Sequence, residues 1–329
     1  MPTLQEMAAE LTGSIPGLSN IFARKYINQA LEEIQRDYLW SWNIAQGVLV
    51  IPTAVTAGTV AVAQYSNLVT FDATAKAALN AANSNPVITK RQFRVPSSGP
   101  VYSIIAYDTG TGVATLDRIY TESSDSTAEY TVYRAYYEPC STDGTTPNTD
   151  FLRYLSINND INGYSIYGKR LYMTRAELNR RDPLRGALGL PYYLAGYIPT
   201  SAGQMQHELW PHCTSALGLL CQFQKRHTDL TPAQSLPLQA PIVLIRYAAL
   251  KLAYRWALQN QGRVPELKGV DWRFALAEAN KTYDQELVRS KKEDKEIVLK
   301  IFRPGSGWSL DFQGPIDSNF MQSHGVPGF

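Results

Sequence analysis

The stretch from Pro237 to Ser290 constrains the fold most, because it reads as two long helices joined by a short loop. Past Pro237 and Pro241, apolar residues recur at Ile242, Ile245, Ala249, Leu252 and Trp256. A second row, Val243, Tyr247, Leu250, Tyr254 and Ala257, widens the stripe until most of the helix is apolar. That is the pattern of a helix covered from two sides. Gly262 and Pro265 predict its end, as glycine past a helix terminus and a following proline commonly do. Asp271 is placed to cap a second helix, with Trp272, Leu276, Ala279, Tyr283 and Leu287 along one face. Burying each large side chain contributes roughly 1.5–3 kcal/mol, so the hairpin can anchor a domain.

A partner for it lies at the other end of the chain. Thr3 and Glu6 form a capping-box pattern before a short helix with Leu4, Met7, Ala8 and Leu11 on one face. Gly13, Pro16 and Gly17 break that helix, and Ser19 or Asn20 caps the next, which carries Phe22, Ile27, Leu31, Ile34 and Tyr38. The aromatic run from Tyr38 to Trp42 closes it as a core corner.

From Gln46 the period changes. Short β-branched segments (Thr59–Val62, Leu68–Phe71, Val87–Val95, Val101–Tyr107, Val113–Leu116) are punctuated by Gly, Pro, Asn and Asp. Ala73–Asn83 interrupts them as an alanine-rich turn or short helix, and Thr127–Glu138 alternates as one strand. Cys140–Asp150 is a polar linker, and Phe151–Ile161 reads as a short helix. Thr174 and Glu177 repeat the capping box. Pro191–Tyr197, Met205–Trp210 and Thr214–Arg226 return to strand character, as a second antiparallel sheet or as extra strands of the first. The tail from Arg303 to Phe329 has five glycines, three prolines and four aromatics, Trp308, Phe312, Phe320 and Phe329. It reads as an extended arm that orders on a partner, or as a disordered terminus.

The resulting class is α+β: a helical bundle formed by N- and C-terminal helices, an inserted antiparallel β domain and an extended C-terminal arm. The divisions fall at 1–45 for the first helices, 46–139 for the β domain and 140–236 for the linker, short helices and second set of strands. The hairpin takes 237–300 and the arm 301–329.

Composition narrows the function classes. Only 18% of the residues are charged, 20 are tyrosine and the net charge is +2, which suggests a surface covered by neighbours rather than a nucleic-acid-binding field. The three cysteines, Cys140, Cys213 and Cys221, lack CxxC spacing and fit a reducing compartment. No apolar run is long enough for a membrane span, and Met1–Glu10 lacks the pattern of a signal peptide, so the expectation is a soluble protein made in a cytoplasm.

Chemistry-bearing motifs are sparse. His207, His212, Cys213, Cys221 and His227 share a window, but their spacing matches no zinc pattern. No metal or cofactor site is expected. Gly110-Thr111-Gly112 is a hairpin turn rather than a nucleotide-binding loop, and no Walker lysine or Gly-x-Ser-x-Gly elbow occurs. Glu208 and Trp210-Pro211-His212 read as a sheet edge and turn. Arg180, Arg181 and Arg185 form a basic cluster, either a solvated loop or a contact for a phosphate or an acidic partner. Asp117, Glu122 and Glu129 are scattered carboxylates with no spacing that marks an acid/base pair. The expectation is no catalytic set and no enzyme.

The order of parts resembles a known family. The aromatic run Tyr38-Leu39-Trp40-Ser41-Trp42 precedes a β domain with Gly58-Thr59-Val60-Ala61-Val62, Leu68-Val69-Thr70-Phe71, Asp117-Arg118-Ile119-Tyr120 and Tyr130-Thr131-Val132-Tyr133. Then follow Gly189-Leu190-Pro191-Tyr192-Tyr193, Glu208-Leu209-Trp210-Pro211-His212 and the helix Ala248–Tyr254. Across residues 15–300 this is similar to the head–tail adaptor, or neck, proteins of tailed bacteriophages.

The resemblance implies a structural virion protein, assembled in the host cytoplasm as a homo-oligomeric ring between the portal protein and other tail or neck proteins. Double-stranded DNA would pass through its lumen without sequence-specific binding. It implies a C-terminal arm docking on the portal, here Trp308, Phe312, Phe320 and Phe329. A baseplate or tail-completion protein is an alternative in the same class. A glycan-binding β module using Tyr133, Tyr136 and Tyr137 is an alternative in another.

Overall fold

The computed structural model describes residues 1–83, 88–96, 99–141, 146, 148–159, 164–167, 171–199, 205–237 and 240–301. Its helices are α1 (Leu4–Ser14), α2 (Asn20–Asp37), α3 (Ala73–Ala82), α4 (Arg175–Arg181), α5 (Ile242–Asn260) and α6 (Trp272–Ile301). The first strands are β1 (Ile44–Ile51), β2 (Val60–Val62), β3 (Leu68–Phe71), β4 (Gln92–Arg94), β5 (Tyr102–Asp108), β6 (Val113–Leu116) and β7 (Asp125–Ala128). They continue with β8 (Thr131–Tyr133), β9 (Tyr136–Tyr137), β10 (Phe151–Asn159), β11 (Tyr164–Tyr167) and β12 (Tyr172–Met173). The last three are β13 (Tyr193–Pro199), β14 (Met205–Trp210) and β15 (Leu217–Lys225). The class is α+β, with helices gathered from both ends of the chain and the strands inserted between them.

Two compact units result. One comprises residues 1–45, 150–153 and 223–329; the other comprises 46–149 and 154–222.

In the helical unit, local chemistry sets each start. Thr3 and Glu6 form the reciprocal capping box of α1, and Ser19 Oγ accepts the Phe22 N–H at the start of α2. Asp271 Oδ1 accepts the N–H groups of Arg273 and Phe274, capping α6. The core draws Leu4, Met7 and Leu11 from α1, Ile27, Leu31 and Ile34 from α2, and Leu244, Ile245 and Ala249 from α5. Trp272 joins them from α6. Helix α5 packs against both α2 and α6, as its broad apolar stripe requires. Phe22 departs from the expected stripe: it is exposed, and Ala23 takes the core position. The aromatic run lies in this core, with Trp40 edge-on to Tyr38 at 4.6 Å and its indole N–H donating to Ile34 O at 2.8 Å.

In the β unit, a seven-stranded sheet runs β7-β2-β3-β6-β5-β4-β8, with every pairing antiparallel. Phe71, Phe93, Tyr102 and Tyr130 meet in its core, where α3 adds Ala75 and Leu79. Gly110–Gly112 does turn the β5–β6 hairpin. Two further four-stranded sheets, β1-β15-β10-β11 and β12-β13-β14-β9, settle the open question about the later strands. They form sheets of their own, each recruiting one earlier strand, and β12–β13 is a parallel pair.

Three local readings change. Phe151–Asn159 is a strand, not a helix, because both of its faces are largely buried and its apolar spacing mimics a helical period. The continuous strand expected over Thr127–Glu138 is three short strands, since each segment pairs with a different neighbour: β7 with β2, β8 with β4 and β9 with β14. Glu208 lies on β14, between β13 and β9, and so is interior to its sheet rather than at an edge.

Candidate functional site

The residues expected to dock the portal, Trp308, Phe312, Phe320 and Phe329, lie outside the described residues. Within them, each unit presents one feature beyond simple core packing.

On the helical unit, large apolar side chains face solvent. Ile21 on α2 is 73% exposed, and Phe274 and Val288 on α6 are 68% and 72% exposed. The α6 pair is off the buried stripe that Trp272 and Ala279 define. Fourteen residues separate them, which brings them to within about 40° on the helix surface and roughly 21 Å apart along its axis. Phe22 extends this exposed chemistry on α2, where its ring also stacks on Tyr26 with centroids 6.3 Å apart. Such side chains are a second apolar line, legible in the sequence once the buried stripe is subtracted, and they are of the type that partner surfaces cover.

In the β unit the notable feature is a buried charge network. Arg185 has a left-handed backbone (φ 53°), a conformation that costs a non-glycine residue free energy and re-aims its side chain. Its guanidinium donates to Glu208 Oε1, Asn179 Oδ1 and Asp182 O, each at 2.5 Å. Asp182 accepts the Trp210 indole N–H at 2.9 Å and the backbone N–H groups of Gly186 and Ala187 at 2.8 and 2.9 Å. His212 Nε2 lies 3.7 Å from Glu208 Oε1, and the Tyr133 ring sits 5.0 Å from the His212 ring.

Burial alone raises the Glu208 carboxyl, but His212 and Arg185 beside it outweigh burial and hold it below the usual range. Asp182 follows the same logic: burial is offset by Trp210, Ala187 and Gly186, and the net shift is downward. Both groups are therefore ionised near neutral pH. Because Glu208 is 1% exposed, the network holds the 182–187 loop against β14 rather than meeting a substrate. Neither expectation for the basic cluster describes Arg185, which is spent internally. Arg181 stacks its guanidinium over Tyr193 and Trp210, at 5.5 and 5.2 Å. Sequence reasoning missed this network, and its only signal was an acidic residue, Glu208, within a segment of strand character.

The window of histidines and cysteines does not converge. His207 is buried on β14 with Tyr154 edge-on at 5.1 Å, and burial lowers its pKa to about 4. His227 belongs to the helical unit, while Cys213 and Cys221 are buried free thiols of the β unit. Among the described residues, no three His, Cys, Asp or Glu side chains stand close enough to hold a metal ion.

Two of the tyrosines considered for glycan binding are inside the protein. Tyr133 and Tyr137 are each 1% exposed. The Tyr137 hydroxyl donates to Arg134 O, whose guanidinium lies 4.7 Å over the Tyr137 ring. Their alternation signalled burial, not a sugar platform. Among the scattered carboxylates, Asp117 accepts the Ser103 N–H and Glu122 accepts the Tyr102 hydroxyl at 2.9 Å. No described helix is long and apolar enough to cross a membrane.

No protein-family model matches this chain. Nor does any curated protein match it.

Proposed function

We propose that this protein is a structural virion protein that forms an adaptor ring between the portal vertex and the tail of a tailed bacteriophage. The observation that carries the reading is the order of parts. Both ends of the chain contribute to one helical unit, and a strand-built unit is inserted between them. That is the order on which the family resemblance rests. The exposed Ile21, Phe274 and Val288 support oligomerisation, because surface of this kind loses unfavourable hydration when copies pack side by side. Glu208 and the carboxylates at Asp117 and Glu122 are engaged in structural contacts, which favours a scaffold over a catalyst.

In this reading DNA crosses the lumen without sequence-specific contacts, and the arm carrying Trp308, Phe312, Phe320 and Phe329 attaches the ring to the portal. The test is a chain truncated after Pro304. Its circular dichroism and melting temperature match those of the full chain, and it fails to join portal-bearing particles. Normal attachment of the truncated chain would refute the arm's role.

A further inference from the structure

Between α4 and β13 the chain turns apolar side chains toward solvent on a loop that is held in place. Leu184 and Leu188 are 54% and 56% exposed, and Leu190 and Tyr192 are exposed beside them, four large apolar residues within nine positions. The backbone that carries them is tied along its length. Asp182 accepts the N–H groups of Gly186 and Ala187, and Ala187 O accepts the His212 N–H at 3.1 Å. Gly189 donates to His212 O and Tyr192 to Trp210 O, each at 3.0 Å. The Arg185–Glu208 pair adds a side-chain tie. A buried carboxylate and a left-handed arginine are costly devices for a loop whose apolar side chains face water. They make sense where a preordered surface docks, because it loses little conformational freedom on binding. The flank of this surface is basic: α4 carries Arg175, Arg180 and Arg181 against one carboxylate, Glu177, and Arg180 and Arg181 are exposed.

A surface of opposite sign lies at one edge of the seven-stranded sheet. The outward faces of β2 and β3, with the start of β7, form a shallow recess of about 450 Å³ lined by Ala61, Ala63, Leu68, Thr70 and Asp125. Leu68 in its wall is exposed, and β7 is the outermost strand of the sheet among the described residues. Apolar surface beside an open strand edge is of the type that partners cover. Residues 119–133 carry Glu122, Asp125 and Glu129, residues 54–75 carry Asp72, and neither stretch has a Lys or Arg. The volume is about three times that of a cavity that takes one benzene ring, so more than one large side chain can enter.

We propose that these two surfaces meet between copies of the chain. The 184–192 loop of one copy places Leu188, Leu190 and Tyr192 in the β2–β3–β7 recess of a second copy, with Arg180 and Arg181 facing Asp125 and Glu129. Charge selects this pairing: loop against loop would set arginines against arginines, and recess against recess would set carboxylates against carboxylates. Two different patches on one chain make a head-to-tail contact, the kind that closes into rings. The inference rests on the ring reading above and assigns a contact surface to it.

The experiment uses the full chain with the photo-crosslinking residue benzoylphenylalanine in place of Leu188, mixed with otherwise unmodified chain grown on heavy nitrogen. Illumination should join position 188 to heavy peptides from 60–71 or 122–129, identified by mass spectrometry, and a probe in place of Leu190 should reach the same peptides. Arg180→Glu in the probe-bearing chain should cut the yield at least fivefold, and so should Asp125→Arg in the heavy chain. Mixing the two variants should restore it. Both positions are exposed, so circular dichroism should be unchanged in each.

No crosslink between copies, a crosslink to another segment, or no recovery on swapping the charges overturns the proposal. Counting copies in particles separates this failure from failure of the ring reading. One ring's worth of copies without the crosslink keeps the ring and removes this interface. The crosslink without copies in particles keeps the interface and removes the virion role.

Discussion

Ser41 donates both its backbone N–H, at 3.0 Å, and its hydroxyl, at 2.6 Å, to Oδ1 of Asp294, a residue 253 positions further along the chain. The pair ties the turn after α2 to the last third of α6, so the N-terminal and C-terminal helical segments share one polar clamp.

Replacing Asp294 by alanine removes an ionised acceptor from two donors, and hydrogen bonds to charged groups contribute about 1.5–3 kcal/mol each. Asp294→Ala should therefore lower stability by about 2 kcal/mol or more in urea unfolding, with Asp294→Asn less damaging. The two variants also differ from wild type in pH response. Burial raises the Asp294 carboxyl, with the Ser41 bonds only partly opposing it. An acid whose folded pKa is raised binds its proton more tightly when folded, so its contribution is lost as pH rises from about 4 through that folded pKa. Asp294→Asn should flatten this slope; an unchanged slope would remove the burial account.

Glu208 makes the opposite prediction. Its folded pKa is depressed, so its contribution is present above about 4.3 and is lost as pH falls through the folded value. Glu208→Ala leaves the partly buried Arg185 without its carboxylate and should cost about 3 kcal/mol, the low end of the range for breaking a buried pair. Glu208→Gln should cost less and give a shallower acid limb in unfolding followed between pH 5 and 2. A loss below 1 kcal/mol for both variants would show that the network is not holding the loop.

His207 adds a third limb. Its pKa falls to about 4 through burial, against about 6.5 for an unperturbed imidazole. The unfolded chain binds the proton first, so stability declines as pH drops from about 6.5 to 4, by up to about 3 kcal/mol at one pKa unit per 1.36 kcal/mol. His207→Gln should lose that pH dependence, whatever it does to stability at pH 7. Persistence of the same decline in His207→Gln would assign it to another group.

Gly58 tests the backbone of the β unit. Its φ is +80°, and an added Cβ would collide with the Asp72 carboxylate and the Ala75 N–H, the two halves of the α3 cap. Gly58→Ala should cost about 1–2 kcal/mol from its left-handed conformation alone, plus the loss of the cap. A melting temperature unchanged within error would contradict this reading.

The helices were legible because period and cap agree. Thr3, Ser19 and Asp271 each stand just before an apolar repeat, Thr174 was marked by its capping box with Glu177, and each of the four caps the helix that follows. The strands were legible where one face is wet, as in Leu68–Phe71, whose exposures alternate. They were not where both faces are covered: Tyr154 to Asn158 is buried without a break, which erases the period of two. Alternation also runs on through changes of partner, so the side chains from Thr127 to Tyr137 could not show three separate strands. The Arg185–Glu208 pair was hidden for a different reason. Its two halves come from a loop and a strand 23 residues apart, joined only by the left-handed turn at Arg185.

The central claim concerns assembly, and it is tested most directly by counting. Quantitative mass spectrometry of particles sedimented from a lysate in which this protein is naturally produced would compare its copy number with those of the portal and major capsid proteins. An adaptor ring gives one ring's worth of copies per particle, on par with the portal. Many copies per particle, or none, would contradict it.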